Sequence, residues 1–262
     1  MHYKIDKMNF DFTEIKEKYI ENVKLELEER WNKWNINFET RYINEVIMGI
    51  LSRQSSLAIQ IFSNPSIWNP EIAPIILRSM IENHLNLAWI FLNKKENCQK
   101  FIEHGYGQMK LNLEHFKSKN TLESEEIKKY IELEEELINH HRYTFLTEVN
   151  IGSWSGITTR EMAQKTGLID FYNLTYQPFS NTAHSTWSHI IKHNVEISDN
   201  PLHRFIKKPI IHEYNPDFLH TPNTAGKYLD KSMRLFDQNI QLDITSEPSF
   251  DLFIKIVNEK LN

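Results

Sequence analysis

One stretch of the chain, residues 70–93, most strongly limits what the protein can fold into. Its sequence, PEIAPIILRSMIENHLNLAWIFLN, predicts a helix of about six turns that is apolar around most of its circumference. Such a helix lies inside a core rather than on its surface. The stretch nevertheless carries Arg78, Glu82, His84 and Asn86. Because buried charges are costly unless they are paired, these side chains need partners or a function.

The whole sequence predicts an all-α fold, a single bundle of about eight to ten helices. The 262 residues include seven glycines, too few for the many tight turns of a β-sandwich or barrel. Apolar residues recur every three to four positions over residues 8–34 and 38–63, which predicts two amphipathic helices. Further helices are predicted at residues 97–118, 122–146, 159–167, from Pro178 through the SNTAHSTWSHIIKH stretch, 224–239 and 248–261.

The predicted organisation is one domain over residues 1–262. No repeat, low-complexity tract or change in composition marks a linker. A subdivision is predicted only near the loop at 147–158. Four prolines exclude a long regular element from residues 199–222, which we predict to be an irregular lid or a segment packed across the bundle.

Composition excludes several classes of protein. The single cysteine, Cys98, excludes an intramolecular disulfide and a thiolate zinc cluster. We find no signal peptide and no apolar run of the roughly 20 residues that span a bilayer, so we predict a cytoplasmic protein without a membrane partner. Phosphate-binding loops, dinucleotide fingerprints and nucleophile motifs do not occur, and we predict no cofactor and no metal.

Helix geometry separates the polar residues of the central stretch. At about 100° per residue, Glu82 and Asn86 fall about 40° and about 80° from Arg78, and we call these three residues the arginine stripe. His84 falls about 240° from Arg78, among apolar side chains. In one interpretation, Arg78 and Glu82 form an ion pair one turn apart, and His84 is a hydrogen-bonded core histidine.

The other interpretation is chemical. Arg78 would neutralise the charge of a phosphodiester, and His84 would move a proton at the ribose 2′-oxygen or the leaving 5′-oxygen, without a metal. Because the two side chains point apart on a straight helix, a shared site requires a kink, curling side chains or a second copy of the helix. Both interpretations remain open at this point.

A second group of polar residues lies in SNTAHSTWSHIIKH. On one helix, Ser180, His184 and Ser188 would form a polar stripe. Ser180 and His184 are predicted either to line a pocket opposite the arginine stripe or to make core hydrogen bonds. His189 and His193 have the i,i+4 spacing of metal ligands, but no companion ligand motif accompanies them, so a structural or solvent-facing role is predicted.

Two further candidates for a pocket are Tyr106 and Gln108, which flank Gly107 in the helix predicted over residues 97–118. Glycines inside a helix cost stability and indicate close backbone packing or a kink.

Several segments resemble a bacterial helical family catalogued only as a domain of unknown function. They are RQSSLAIQI, LRSMIENHLNLAWI, FIEHGYGQMKL, WSGITTREMA and SNTAHSTW, and the likeness runs from about Ser52 to about Trp187. In addition, Arg78 followed after five residues by His84 is similar to the signature of HEPN domains. That resemblance implies a HEPN-like α-helical bundle, often a homodimer, in which metal-independent ribonucleases of toxin and antiphage systems place Arg and His at the interface.

The resemblance assigns the catalytic pair to Arg78 and His84. Ser79 departs from the many active members that carry Asn, Asp or His after the arginine, and noncatalytic HEPN relatives serve as binding modules. Our leading hypothesis is a HEPN-like, metal-independent endoribonuclease in bacterial stress or phage defence. Since the formal charge is −5, RNA contact would depend on a local basic patch. The alternative is a noncatalytic module that binds a protein partner or small ligand in a pocket lined by Glu82, Asn86, Tyr106, Gln108, Ser180 and His184.

Overall fold

The structure is a computed structural model, and it describes residues 12–119, 124–142, 152–214 and 219–261. The chain divides into two compact units. Unit 1 comprises Met1–Asn35, Ile50–His84 and Asp170–Asn262, and unit 2 comprises Ile36–Gly49 and Leu85–Ile169. The sequence predicts that the whole chain forms one domain, and this stays a prediction.

Helices form most of the described chain, so the predicted all-α fold is confirmed. They are α1 (Thr13–Lys33), α2 (Arg41–Ser63), α3 (Ala73–Leu92), α4 (Lys94–Lys119), α5 (Glu125–Arg142), α6 (Thr159–Lys165), α7 (Ile169–Phe171), α8 (Gln177–Ala183), α9 (Trp187–His193), α10 (His220–Ile240) and α11 (Ser249–Leu261). A π-helical turn, Tyr172–Tyr176, joins α7 to α8. Two short strands, β1 (Val195–Ile197) and β2 (Lys207–Pro209), pair antiparallel. No helix among the described residues is long and apolar enough to cross a membrane.

The prediction of one continuous helix from Pro178 to His193 was wrong. Helix α8 ends at Ala183, and α9 begins at Trp187. Between them Ser185 adopts φ 48°, which lies in the left-handed region, and Thr186 is extended. Serine and threonine favour such breaks because their hydroxyls compete for backbone hydrogen bonds. The polar stripe that a single helix would have formed is therefore divided between two helices.

Smaller differences concern caps and ends. Thr158, which directly precedes the helix predicted over residues 159–167, caps α6 through a reciprocal capping box with Glu161. Helix α6 ends at Lys165, and Gly167, at φ +72°, follows in the left-handed region that glycine favours. The irregular segment predicted over 199–222 contains β2, and α10 already begins at residue 220. Pro222 lies in the first turn of α10, where a missing N–H costs little.

Parts of some predictions lie outside the described residues. These parts are residues 8–11 of the first predicted helix, 122–123 and 143–146 of the fifth, 147–151 of the predicted loop, and 215–218 of the irregular segment, with Pro216.

The core of unit 1 contains an aromatic cluster from three helices. The rings of Tyr19 in α1 and Phe62 in α2 stack with their centroids 3.6 Å apart. Phe253 in α11 meets Phe62 edge to face at 5.1 Å. All three side chains are fully buried, so they hold α11 against α1 and α2 largely through apolar burial.

A buried ion-pair network joins α1 to α10 and α11. Arg30 in α1 donates from Nε and Nη2 to both carboxylate oxygens of Asp237 in α10, at 2.8 Å and 2.7 Å. Its Nη1 also contacts Glu26 Oε1 at 3.3 Å. The Ser249 backbone N–H and hydroxyl at the start of α11 both donate to Glu26 Oε2. Burial raises the pKa of Glu26 and of Asp237, against the opposing effects of these partners.

We expect Arg30→Met to lower the free energy of unfolding by about 3 kcal/mol, because it leaves the Glu26 and Asp237 carboxylates without their cation. Urea denaturation at neutral pH measures this loss. Arg41→Met is the control, since Arg41 is mostly exposed and lies 4.0 Å from Glu45, and it is expected to cost less than about 1 kcal/mol. Equal losses of unfolding free energy in Arg30→Met and Arg41→Met would contradict a stabilising role that is specific to the buried network.

Candidate functional site

The arginine stripe meets a tyrosine from a distant segment of unit 1. Arg78 Nη2 lies 3.0 Å from Glu82 Oε1 one turn later in α3, so the predicted ion pair is confirmed. Arg78 Nη2 also donates to the Tyr176 hydroxyl at 2.8 Å. That hydroxyl in turn donates to Glu82 Oε1 at 2.8 Å. We call these three residues the arginine cluster.

The π-helical turn positions Tyr176. Its ring stacks on Tyr172 with centroids 4.7 Å apart and planes 18° apart. Thr175 Oγ1 donates to the Phe171 backbone oxygen at 2.5 Å and caps a carbonyl of the wide turn. The guanidinium carbon of Arg78 lies 5.0 Å from the Tyr176 ring centroid, which adds a cation–π contact. Sequence reasoning missed Tyr176; the one local signal was a pair of tyrosines four residues apart.

The arginine cluster is only partly closed to solvent. The side chain of Arg78 is 19% exposed and that of Glu82 is 37% exposed, whereas Tyr176 is buried. Arg78 Nε is buried without a hydrogen-bond partner. Within the described residues, Arg78 Nη1 and Glu82 Oε2 also make no hydrogen bond. The cluster therefore retains both donor and acceptor capacity.

Burial and neighbouring groups shift the pKa of Arg78 and of Tyr176. Burial acts to lower the pKa of Arg78, but the Tyr176 hydroxyl and the Glu82 carboxylate outweigh it, and the pKa is raised. Burial raises the pKa of Tyr176, and Glu82 adds to that shift while Arg78 opposes it. At neutral pH Arg78 is thus a permanent cation beside the protonated Tyr176 hydroxyl.

His84 lies in the interior of unit 1, 5% exposed. Its Nδ1 lies 3.1 Å from Ser232 Oγ in α10. Gln54 in α2 donates to the same Ser232 oxygen at 3.1 Å. The Phe171 ring meets the imidazole edge to face at 5.6 Å. His84 is therefore a hydrogen-bonded core histidine, as the first interpretation predicted, and its polar contact differs from those of Arg78.

The other predicted site residues are divided between the two units. Ser180 is half-buried in α8, and His184, which caps α8, is exposed. Their printed contact is a backbone hydrogen bond from the His184 N–H to the Ser180 oxygen, 3.0 Å long. Asn86, Tyr106 and Gln108 are half-buried and belong to unit 2. Their predicted roles in binding stay predictions.

Tyr106 borders a groove of unit 2 with a volume of about 520 Å³. Burial raises the pKa of Tyr106, and Glu45 adds to the shift. Most of the other lining side chains are apolar, and the set includes Phe38, Tyr42, Val46, Phe101, Ile102 and Met109.

His189 makes structural contacts that the sequence did not reveal. Its Nε2 lies 3.0 Å from Glu71 Oε2, which precedes α3. Its Nδ1 lies 3.1 Å from Thr182 Oγ1. Asn194 and Tyr214 donate to the other oxygen of Glu71, each at 3.2 Å. No group of three His, Cys, Asp or Glu residues in the described chain has metal-binding geometry. His189 is buried, and its contacts are hydrogen bonds within unit 1.

The fold and site thus define an all-α protein with a partly exposed arginine–glutamate–tyrosine cluster. Residues 44–201 match a family of unknown function (DUF5677). Because this match covers more than half of the 262 residues, the chain belongs to that family. The matched residues include the stretch from Ser52 to Trp187 in which the sequence resembles a family of unknown function. No curated protein and no solved structure shows detectable similarity to the chain.

Burial of His84, with a smaller effect of the Lys231 charge, lowers its pKa from 6.5 to about 4. Between these values the unfolded chain binds a proton that the folded chain does not, so stability falls as the pH falls. We expect the free energy of unfolding to drop by about 2 kcal/mol more between pH 7 and pH 5 in the wild type than in His84→Gln.

Urea denaturation at both pH values checks this difference. His115→Gln, which replaces an exposed histidine, is expected to follow the wild type. If the free energy of unfolding depends on pH equally in the wild type and in His84→Gln, the lowered pKa assigned to His84 would be wrong.

Proposed function

We propose that the protein is a noncatalytic helical binding module and that the arginine cluster is its recognition site. The observation that carries the proposal is the partial exposure of an arginine and a glutamate that a buried tyrosine holds in place. An ion pair with a purely structural role can use all of its hydrogen-bonding groups on partners within the fold. Here Arg78 Nη1 and Glu82 Oε2 have hydrogen-bonding capacity to spare within the described chain.

The free groups favour one kind of ligand chemistry. Arg78 can only donate hydrogen bonds and Glu82, when ionised, can only accept them. A group that carries an acceptor beside a donor satisfies both, and the peptide or side-chain amide of a protein partner has that arrangement. Because Tyr176 already orients the Arg78 guanidinium, little side-chain entropy is lost on binding.

The ribonuclease hypothesis draws its support from the resemblance and from the presence of Arg78 and His84 on one continuous helix, α3. Two observations argue against it. The Glu82 carboxylate, 3.0 Å from Arg78 Nη2, would repel a phosphate beside the guanidinium. His84, buried and with a pKa of about 4, would have to be uncovered before it could exchange a proton with RNA. We therefore place RNA cleavage, phage defence and a catalytic homodimer second.

The test is selection of peptides from a random library displayed on phage, followed by calorimetric titration of the selected peptides. We expect Arg78→Lys and Glu82→Gln to weaken binding at least about tenfold, since each removes a charge-assisted hydrogen bond. Arg41→Lys is the matched control, because Arg41 and Glu45 are an exposed pair with the same i,i+4 spacing. Circular dichroism verifies that every variant is folded.

Three results would overturn the proposal. The first is that the wild type selects no peptide. The second is that Arg78→Lys and Glu82→Gln bind the selected peptides as tightly as the wild type does. The third is that the wild type cleaves RNA in EDTA and that both Arg78→Lys and His84→Gln abolish this activity, which would establish the ribonuclease instead.

A further inference from the structure

The groove beside Tyr106 lies wholly within unit 2. Its lining residues come from the short helical turn Phe38–Thr40, from the first turns of α2, and from α4 and α5, all of which belong to this unit. The volume of about 520 Å³ lies within the range of about 300 to 1,000 Å³ that small-molecule sites occupy. The groove is large enough to hold a small organic molecule.

A glycine keeps one wall of this groove open. Gly105 lies inside α4, where glycine is less stable than alanine. It does not have a positive φ, and a Cβ at this position would meet no atom within 4 Å. Neither the backbone conformation nor close packing therefore requires a glycine here. Because Gly105 lines the groove, a larger side chain would fill part of the space.

Aromatic rings line the groove on two sides. Phe38 and Tyr42 contribute rings from the start of α2 and the turn before it, and Phe101 and Tyr106 contribute rings from α4. Phe38 is 84% exposed, so its ring is accessible to a ligand. The face of an aromatic ring carries partial negative charge and attracts cations, including quaternary ammonium groups. The rings therefore suit a cation better than an anion.

The charged side chains of the lining favour the same sign of ligand. They are Glu39, Arg41 and Glu45, so two carboxylates and one guanidinium leave a net negative charge. Arg41 Nε lies 4.0 Å from Glu45 Oε1, whereas Glu39 forms no ion pair within the described chain. Burial, and then the Glu45 charge, raise the pKa of Tyr106, so the field of this carboxylate acts on the groove wall.

We propose that the groove binds an organic cation with an apolar body, such as an alkylammonium. The ammonium group lies over the rings beside Glu39 and Glu45, and the alkyl chain covers the apolar side chains of Ile102 and Met109. A carboxylate ligand would attract Arg41 alone and would be repelled by both glutamates. This site goes beyond the proposed function, because the arginine cluster belongs to unit 1 and does not line the groove.

Calorimetric titration of the full chain with octyltrimethylammonium tests the choice of ligand. Octanoate and octanol serve as anionic and neutral probes with the same chain length. We expect a dissociation constant of about 100 μM for the cation and at least about tenfold weaker binding of the other two probes. Undetectable binding of the cation at about 1 mM, or equally tight binding of octanoate or octanol, would overturn the proposal.

Filling the groove tests the location of the site. Gly105→Leu places a side chain in the groove and replaces a poor helix former with a good one, so the variant is expected to fold. We expect it to weaken the binding of octyltrimethylammonium at least about tenfold. Gly49→Leu is the matched control, since Gly49 lies inside α2, also has no atom within 4 Å of a Cβ, and does not line the groove. Equal affinities of Gly105→Leu and Gly49→Leu would overturn the site.

Charge variants test the sign of the ligand independently of its shape. We expect the double variant Glu39→Gln, Glu45→Gln to weaken the binding of octyltrimethylammonium at least about tenfold, and Arg41→Gln to tighten it about threefold by removing a like charge. The control is the double variant Glu125→Gln, Glu126→Gln, which changes two exposed carboxylates at the start of α5 and is expected to alter the affinity less than about twofold. Weaker binding in Arg41→Gln, or unchanged binding without the two groove carboxylates, would overturn the proposal.

Discussion

The polar side chains of α3 set the main constraint on unit 1, because a buried helix cannot leave them unsatisfied. The constraint is met in two ways. His84 is satisfied inside the core by Ser232 of α10, which requires α10 to pack against α3. Arg78 is satisfied nearer the surface by Glu82 and by Tyr176, which requires the π-helical turn to lie over the first half of α3. Two distant segments are thus positioned by hydrogen bonds to one helix.

These two solutions have different consequences for chemistry. His84 is buried, and its lowered pKa keeps it neutral at physiological pH. Arg78 stays charged and partly exposed, with a guanidinium oriented by its neighbours. Recognition needs oriented and accessible groups, and Arg78 meets this requirement. Proton transfer needs a titratable group within reach of the substrate, and the buried His84 does not meet that one. This difference is why we favour a binding module within a family of unknown function.

Much of the fold could be predicted because its causes are local. The positions of α4, α10 and α11 follow from apolar residues spaced every three to four positions, and the Arg78–Glu82 pair follows from i,i+4 geometry. The break at Ser185 could not be predicted, since the same residues are compatible with a continuous helix. After the break, His189 of α9 contacts Glu71, 118 positions away, and local spacing does not specify such a partner. Short strands such as β1 give too few residues for a period-2 signal.

The sequence by itself determined the all-α class, the central apolar helix and the division of its polar residues into a stripe and a separate histidine. These features depend on composition and on the 3.6-residue period, which each short stretch carries within itself. Only the tertiary structure decided which groups satisfy those residues. Tyr176 lies 98 positions from Arg78, and Ser232 lies 148 positions from His84. No local pattern specifies such a partner, because it is selected by the packing of whole helices rather than by sequence spacing.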